Sequence, residues 1–451
     1  MQYDLFVIGT GLAGQDVATA CAGEGWTVGI ADRRAFGGTC PMRGCDPKKV
    51  LVRAAHMLDA AQRLEGHGLT GTGHACIDWQ DLMAFKRTFT EPVPGGVEDK
   101  LDEAGIDYFH DGARFAGPRT LDVGGERVEA ERILIATGAE PAALDVKGEE
   151  HFTYSDDFLK LEALPERLVF VGGGYISMEF AHLAARAGAT EVTVLETSAR
   201  VLQHFEAEAV EAVAAATDAL GIEIRAERKV TALEEDAGAL VVTAETNDGH
   251  AERYRADAVV HGAGRVPALG ALNLDAAGVE RTEDGLLDLD ENLRSTSNAA
   301  VLAAGDAAQQ GPPLTPVAHL DGRAVEKALL EEGEPPRYEG TPTAVFTTPR
   351  LAAVGLTEEA AREQGFDLEV ESGNAAHFYT ARHRRQEHAF YKVIAEQGSG
   401  RLLGAHLAYP EAHEVVNIFA QAMRHGLAVN DLKASVYTYP SASSSVQAML
   451  P

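Results

Sequence analysis

The sequence predicts an α/β protein with two parallel-sheet βαβ units and a C-terminal α+β segment. Two observations carry that expectation. A strand, glycine turn, helix, strand and acid succeed one another twice in the chain, and the pattern is missing after about Tyr338. The first copy begins with the apolar run Leu5 to Ile8 and turns through Gly9-x-Gly11-x-x-Gly14 into a helix. A second strand, Thr27 to Ala31, is closed by Asp32. The second copy turns through Gly172-x-Gly174-x-x-Ser177, and its second strand ends at Glu196. Each part has a physical task. The first glycine permits the tight turn, and the second lets backbone approach a pyrophosphate. The N–H groups of the helix start take the phosphate charge, and the terminal acid accepts hydrogen bonds from a ribose diol. Two copies, each with strand, helix and acid in register, argue for two dinucleotides.

Three further segments read as strand ends. Ile133 to Pro141 contains Thr137-Gly138, and Val259 to Pro267 contains Gly264-Arg265. Val301 to Ala308 presents Gly305-Asp306, whose carboxylate suits a polyol. Beyond Tyr338 the pattern alternates like sheet and ends in an amphipathic stretch, Glu411 to His425. With no glycine fingerprint, this part is expected to serve association.

Composition excludes several classes. The 451 residues hold 69 Asp+Glu against 39 Lys+Arg, a net charge of −30. Such a charge repels phosphate backbones and anionic lipid, so neither nucleic acid nor membrane is expected as a partner. No apolar run reaches about 18 residues. The start has no basic region of the signal-peptide kind, and a cytoplasmic protein is expected. Four cysteines are too few for a secreted disulfide scaffold.

The placement of two of those cysteines matters more. Gly37-Gly38-Thr39-Cys40-Pro41-Met42-Arg43-Gly44-Cys45-Asp46-Pro47-Lys48-Lys49 precedes an apolar helical pattern. Two thiols across such a loop can approach disulfide distance. The helix start, with Lys48 and Lys49, is expected to lower a cysteine pKa from about 8.5 to about 4–7. Pro47 suits a first turn, where its missing N–H costs nothing. A zinc site would need two more ligands, and only His56 is close, so no metal is expected.

In these residues the chain resembles the pyridine nucleotide-disulfide oxidoreductases, the glutathione, mycothione and mercuric reductases and lipoamide dehydrogenases. The resemblance spans essentially the whole chain, and GGTCxxxGCxPKK is its most specific motif, closest to the glutathione-reductase branch. It implies a discontinuous FAD-binding domain over 1–146 and 267–336, an NAD(P)-binding domain over 147–266, and a dimerisation domain over 337–451 that makes a homodimer. It also implies an electron route from NAD(P)H through FAD to a Cys40–Cys45 redox disulfide, and from there to a small-molecule disulfide.

Residue by residue, the resemblance makes Cys45 the thiol against the flavin and Cys40 the interchange thiol. Lys48 matches the lysine near flavin N5, and Glu179 the acid that pairs with it. Gly9, Gly11, Gly14, Asp32, Gly38, Thr39, Lys49, Thr137 and Gly138 fall where FAD is held, as do Gly305, Asp306 on the ribityl chain and Thr315 at the pyrimidine. Gly172, Gly174, Ser177, Glu196, Gly264 and Arg265 fall in the nicotinamide-nucleotide site, which Tyr175 covers. Glu196 suits a free 2′-hydroxyl and repels a 2′-phosphate, so NADH is expected over NADPH.

The resemblance breaks at the C-terminus. Most of the family ends in HPTxxE, a His–Glu pair supplied by the partner subunit. Here Tyr439 stands at the His position and Ser444 at the Glu position. A tyrosine titrates near pH ~10 and is a poor base at neutral pH. Either Tyr439 donates a proton to the leaving thiolate, or the acceptor is a metal ion, a quinone or a small oxidised sulfur species. A lipoamide-dehydrogenase-like subunit and a redox sensor are further readings. Mercuric reductases end in a vicinal Cys pair, whereas this chain ends Met449-Leu450-Pro451, which disfavours mercuric ion. His319, His377 and His413 are substitute bases that the sequence does not rank. The basic run Arg382-His383-Arg384-Arg385 reads either as attraction for an anionic substrate or as a solvated hairpin.

Overall fold

A computed structural model describes all 451 residues, in two compact units. The first comprises Met1–Lys49, Phe85–Ala142 and Arg265–Tyr338; the second comprises Val50–Ala84, Ala143–Gly264 and Glu339–Pro451.

In the first unit, β1 (Gln2–Ile8), α1 (Leu12–Gly23) and β2 (Val28–Ala31) form the opening βαβ element. Five strands run parallel in the order Asp107–Phe109, β2, β1, Glu126–Ile135, Val301–Ala303. The apolar run in β1 does not alternate with polar residues because both faces of the sheet are covered. Leu5 and Val7 pack with Val17 and Leu134 on one side, while Phe6 and Ile8 pack with Leu121 and Ile133 on the other. The turn after β1 needs its glycines. Gly9 has φ +112°, and a Cβ there would sit 2.3 Å from the Ala136 carbonyl oxygen. A Cβ on Gly14 would sit 2.3 Å from the Gly9 oxygen, so the third glycine lets helix and strand close up.

The second unit repeats the design. Its parallel sheet runs Ile222–Arg225, Glu191–Leu195, Arg167–Val171, Ala258–His261, Phe152–Thr153. Leu168 and Phe170 enter one core, Val169 and Val171 the other. The C-terminal part is the expected α+β element, a five-stranded antiparallel sheet with Arg350–Gly355, Leu402–Tyr409 and Phe390–Glu396 at its centre. The helix Ala412–His425 buries Val415, Val416 and Phe419 in its core. No helix is long and apolar enough to cross a membrane.

Candidate active site and nucleotide cradles

The cysteine loop folds as two short-range pieces. α2 (Thr39–Arg43) stops at Gly44, and α3 (Cys45–Arg63) begins at the next residue. Gly38 holds φ +73°, and a Cβ there would lie 2.5 Å from the Gly11 Cα. Only a glycine lets this loop lie against the first glycine turn. The break at Gly44 sets Cys40 on one helix and Cys45 at the start of the next. Both are thiols, Cys40 half-buried and Cys45 exposed. Their side chains are within hydrogen-bonding reach of each other, and the Thr315 side chain is within reach of Cys40. The Cys40 sulfur also lies 3.8 Å from an Asp46 oxygen.

The expected acidity is not what Cys40 shows. Its thiol is pushed up from the ordinary cysteine value, first by the hydrogen bond to Cys45 and then by burial, with Thr315 pulling the other way. A helix start acts on each thiol singly. Two thiols in contact titrate as a pair, and charging one makes the other harder to ionise.

The first nucleotide cradle gathers the remaining predicted residues of this unit. Asp32 accepts from the Thr10 backbone N–H at 2.9 Å, the Thr10 hydroxyl at 2.8 Å and the Arg34 N–H at 2.9 Å. It therefore braces the glycine loop, and its remaining acceptor capacity is what a ribose diol would use. Gly11 and Gly138 have open space where a Cβ would stand, and Gly138 and Gly305 hold φ near +70°. The Thr137 hydroxyl is buried without a hydrogen-bond partner. Burial pushes the Asp306 carboxyl above the usual range, against the pull of the Arg265 charge. Thr39 is exposed, Lys49 is half-buried and Lys48 is buried. An orphaned hydroxyl, a desolvated carboxyl and open glycines fit a group with phosphates and a polyol chain, as FAD has.

Arg265, expected in the second cradle, falls in the first unit. Its short strand Arg265–Pro267 pairs with Ala139–Pro141, and its guanidinium donates to the Ala139 carbonyl at 2.5 Å. The tight pairing draws the arginine toward Asp306 once the chain has crossed back.

The second cradle holds Gly172 at φ +91°, where a Cβ would sit 2.5 Å from the Ala263 Cα. Gly174 begins the helix Tyr175–Ala187. The Ser177 hydroxyl is buried with no hydrogen-bond partner and lies against Gly262, where a Cβ would meet it at 2.0 Å. Glu196 is buried and accepts from the Gly173 N–H at 2.6 Å and the Ser198 N–H at 2.7 Å. Gly264 carries φ +110° at the end of its strand. Tyr175 is 43% exposed, as a movable cover must be, whereas Glu179 is buried and accepts from the Phe346 N–H at 3.0 Å.

Tyr439 is 75% exposed, and the Tyr379 ring stands 6.3 Å from it. Ser444 spends its hydroxyl on the Ser441 carbonyl at 2.7 Å. The basic run is partly structural: Arg384 pairs with Glu411, which also holds Arg350. Two residues of the first cradle escaped the sequence reading. Thr10 links loop to Asp32, and Asp321 accepts from the Gly305 N–H at 2.9 Å and the Tyr338 hydroxyl at 2.7 Å. The only trace of Asp321 in the sequence is an acid beside Gly322 on an otherwise apolar helix face.

Residues 3–322 match the pyridine nucleotide-disulphide oxidoreductase family, and residues 341–450 match its dimerisation domain. The chain is 33% identical to a glutathione reductase of Burkholderia cepacia over 97% of this chain and 96% of that one. It is 32% identical to a dihydrolipoyl dehydrogenase of Haloferax volcanii, covering 98% and 94%. Its fold superposes on the HOCl-induced flavoprotein disulfide reductase RclA from Escherichia coli with a TM-score of 0.88 at 29% identity, covering 99% of both chains. The chain belongs to the pyridine nucleotide-disulphide oxidoreductase family. It is an NAD(P)H-dependent flavoprotein disulfide reductase that uses FAD, and its dimerisation domain supports a homodimer.

Proposed function

We propose that this reductase uses NADH to reduce a low-molecular-weight disulfide through Cys40 and Cys45. The carrying observation is the mutual reach of the two thiols, with Thr315 beside Cys40. Bound in the first cradle by Asp32, Thr137, Asp306 and Thr315, FAD would supply hydride acceptance from the nicotinamide and two-electron transfer to the cysteine pair. The chain's own part is to hold that pair. Gly38 seats the loop against the first glycine turn, and Gly44 breaks the helix so that two thiols face one another. In this reading Asp32, Thr137, Asp306 and Thr315 hold FAD, while Ser177, Tyr175 and Glu196 hold the nicotinamide nucleotide. Lys48 and Glu179 are the proposed pair at the reacting ring. The NADH preference rests on the Glu196 carboxylate, which repels a 2′-phosphate. Four cysteines in 451 residues are too few for a secreted disulfide scaffold and suit a reducing compartment such as the cytoplasm.

A second reading, reduction of a metal ion, is favoured by one observation. The similar Escherichia coli reductase is described as a Cu(II) complex, and Tyr439 replaces the titrating histidine. Anaerobic NADH titration of the yellow protein, followed by mixing with glutathione disulfide, bis-γ-glutamylcystine, cystine, Cu(II) or a quinone, separates the two. Rapid reoxidation by one disulfide supports the first reading. Discharge only to Cu(II) or quinone overturns it.

A further inference from the structure

We propose that His319, held by Asp16, is the acid and base for the Cys40 thiol, since a tyrosine such as Tyr439 is a poor base at neutral pH. The inference rests on the disulfide-reductase reading above and concerns the proton rather than the electrons.

Three contacts within the first unit converge. The Thr315 side chain is within hydrogen-bonding reach of Cys40. His319 stands one helical turn after Thr315, on the same helix, Thr315–Leu330. Residues four apart share a helix face, and a helical side chain leans back over the turn before it. The imidazole of His319 therefore leans toward the end of the helix that meets Cys40. From the other side, the cysteine loop packs on the start of α1 through Gly38 and Gly11, and α1 carries Asp16. Asp16 Oδ2 stands 2.5 Å from His319 Nδ1. The two helices approach closely enough for this because Gly322 faces α1, where a Cβ would stand 3.5 Å from the Ala13 Cα and 3.7 Å from the Asp16 Cβ.

The arrangement is that of an oriented base. A carboxylate on Nδ1 fixes the ring and leaves Nε2 for the reacting proton. Side chains of His319 and Asp16 are 36% and 40% exposed, open to a ligand rather than packed away. The other histidines the sequence left in contention are placed differently. His377 meets the Phe378 ring edge-on, and His413 lies between Glu411 and Glu414. The raised pKa of the Cys40 thiol adds to the need, since a thiol that holds its proton attacks only when a base removes it.

The chemistry balances. His319 takes the Cys40 proton, and the thiolate attacks R–S–S–R. The Cys40–S–S–R mixed disulfide forms, the S–S bond of R–S–S–R breaks, and the departing R–S⁻ receives the proton from His319. The Cys45 sulfur then attacks Cys40, its proton passing by His319 to the second R–S⁻. Two thiols of the protein are oxidised to one disulfide, and one substrate disulfide is reduced to two R–SH.

The test uses the holoenzyme and the variants His319→Gln, His319→Ala and Asp16→Asn, checked for flavin content. Turnover of glutathione disulfide, bis-γ-glutamylcystine and cystine is measured with and without added imidazole. In parallel, the NADH-reduced proteins are alkylated with iodoacetamide and Cys40 modification is followed by mass spectrometry. Disulfide turnover is expected to fall about 100-fold in both His319 variants, the size of a lost general base. Imidazole should restore much of it in His319→Ala, Asp16→Asn should fall less, and Cys40 alkylation should slow in step. Wild-type turnover and wild-type alkylation in His319→Gln overturn the inference. If the wild-type protein reduces no disulfide, the proposed function fails, and the alkylation arm alone decides whether His319 activates Cys40.

Discussion

Glu196 and Gly173 are joined by a hydrogen bond of 2.6 Å, from the glycine N–H to a carboxylate oxygen at the end of the neighbouring strand. Asp32 and Thr10 make the same link in the first unit at 2.9 Å. In both cradles the acid ties its own glycine loop to the sheet. The acid is thus a loop brace, and in the proposed function a nucleotide ligand as well, so substitutions there are expected to have two effects.

Glu196→Ala leaves the Gly173 and Ser198 N–H groups without their acceptor. An unsatisfied buried donor costs about 1–3 kcal/mol. The variant is expected to unfold at lower temperature, with a KM for NADH raised about tenfold or more. Removing the carboxylate also removes the repulsion toward a 2′-phosphate. The ratio of kcat/KM values for NADPH over NADH should rise, and an unchanged ratio would take the discrimination away from Glu196.

Gly38→Ala tests the cradle. The added Cβ meets the Gly11 Cα at 2.5 Å, and φ of +73° is unfavourable for alanine. Backbone sits on both sides, so neither can yield cheaply. The purified variant is expected to carry far less flavin per chain than the wild type, read from its visible absorbance against its protein concentration.

The cysteines should separate by role. Cys40→Ser is expected to lose disulfide turnover altogether while NADH still bleaches the yellow absorbance in a stopped-flow trace. Cys45→Ser should lose both turnover and the long-wavelength absorbance of the reduced protein. Near-normal disulfide turnover by Cys40→Ser would refute the assignment.

Asp321 carries a pH prediction. Burial pushes its carboxyl up to about 6, partly offset by hydrogen bonds from Tyr338 and Gly305. An unfolded aspartate titrates near 3.9. Between those values the folded protein binds the proton that the unfolded chain has lost, so stability falls as pH rises from about 4 to about 6. The deficit above that window is on the order of 3 kcal/mol. Asp321→Asn has no proton to lose. Its melting temperature relative to wild type should climb by a few degrees across the window, and a difference that does not vary with pH would contradict the account.

Lys392 is 2% exposed, and its ammonium meets Glu206 at 3.0 Å, Glu208 at 2.6 Å and Glu358 at 2.9 Å. Burial works against its charge, but the three carboxylates outweigh that and hold its pKa above the ordinary value. Lys392→Met leaves Glu206 and Glu208 without their cation, while Glu358 keeps Arg362. Breaking a buried pair costs about 3–5 kcal/mol, and molar salt should return part of it by screening the exposed acids. Thermal unfolding of wild type and variant across a salt series is the measurement.

Much of the fold was legible because its signals are local. The glycine spacing of each turn, the unbroken apolar runs of Leu5 to Ile8 and Leu168 to Val171, and the closing acids all lie within one βαβ length. The C-terminal element was legible as alternation followed by an amphipathic helix. Arg265 was harder. It lies next to Gly264 in the chain, but its strand pairs with residues 139–141, and that pairing assigns it to the first unit. The thiol acidity was missed for a related reason, since Cys40 answers to Cys45 and Thr315 and not only to the helix that follows.

By itself the sequence determined the two nucleotide folds and the close cysteine pair, because each depends on residue types at short, fixed spacing. Tertiary structure alone decided which polar groups meet across long separations. Asp321 reaches Gly305 within the same region of chain, but Asp16 and His319 lie 303 positions apart and meet only because α1 and the helix Thr315–Leu330 pack at Gly322. A spacing rule cannot register such a pair. The packing of two helices on one face of a sheet can, and here it sets a carboxylate on a histidine one turn from the residue that touches Cys40.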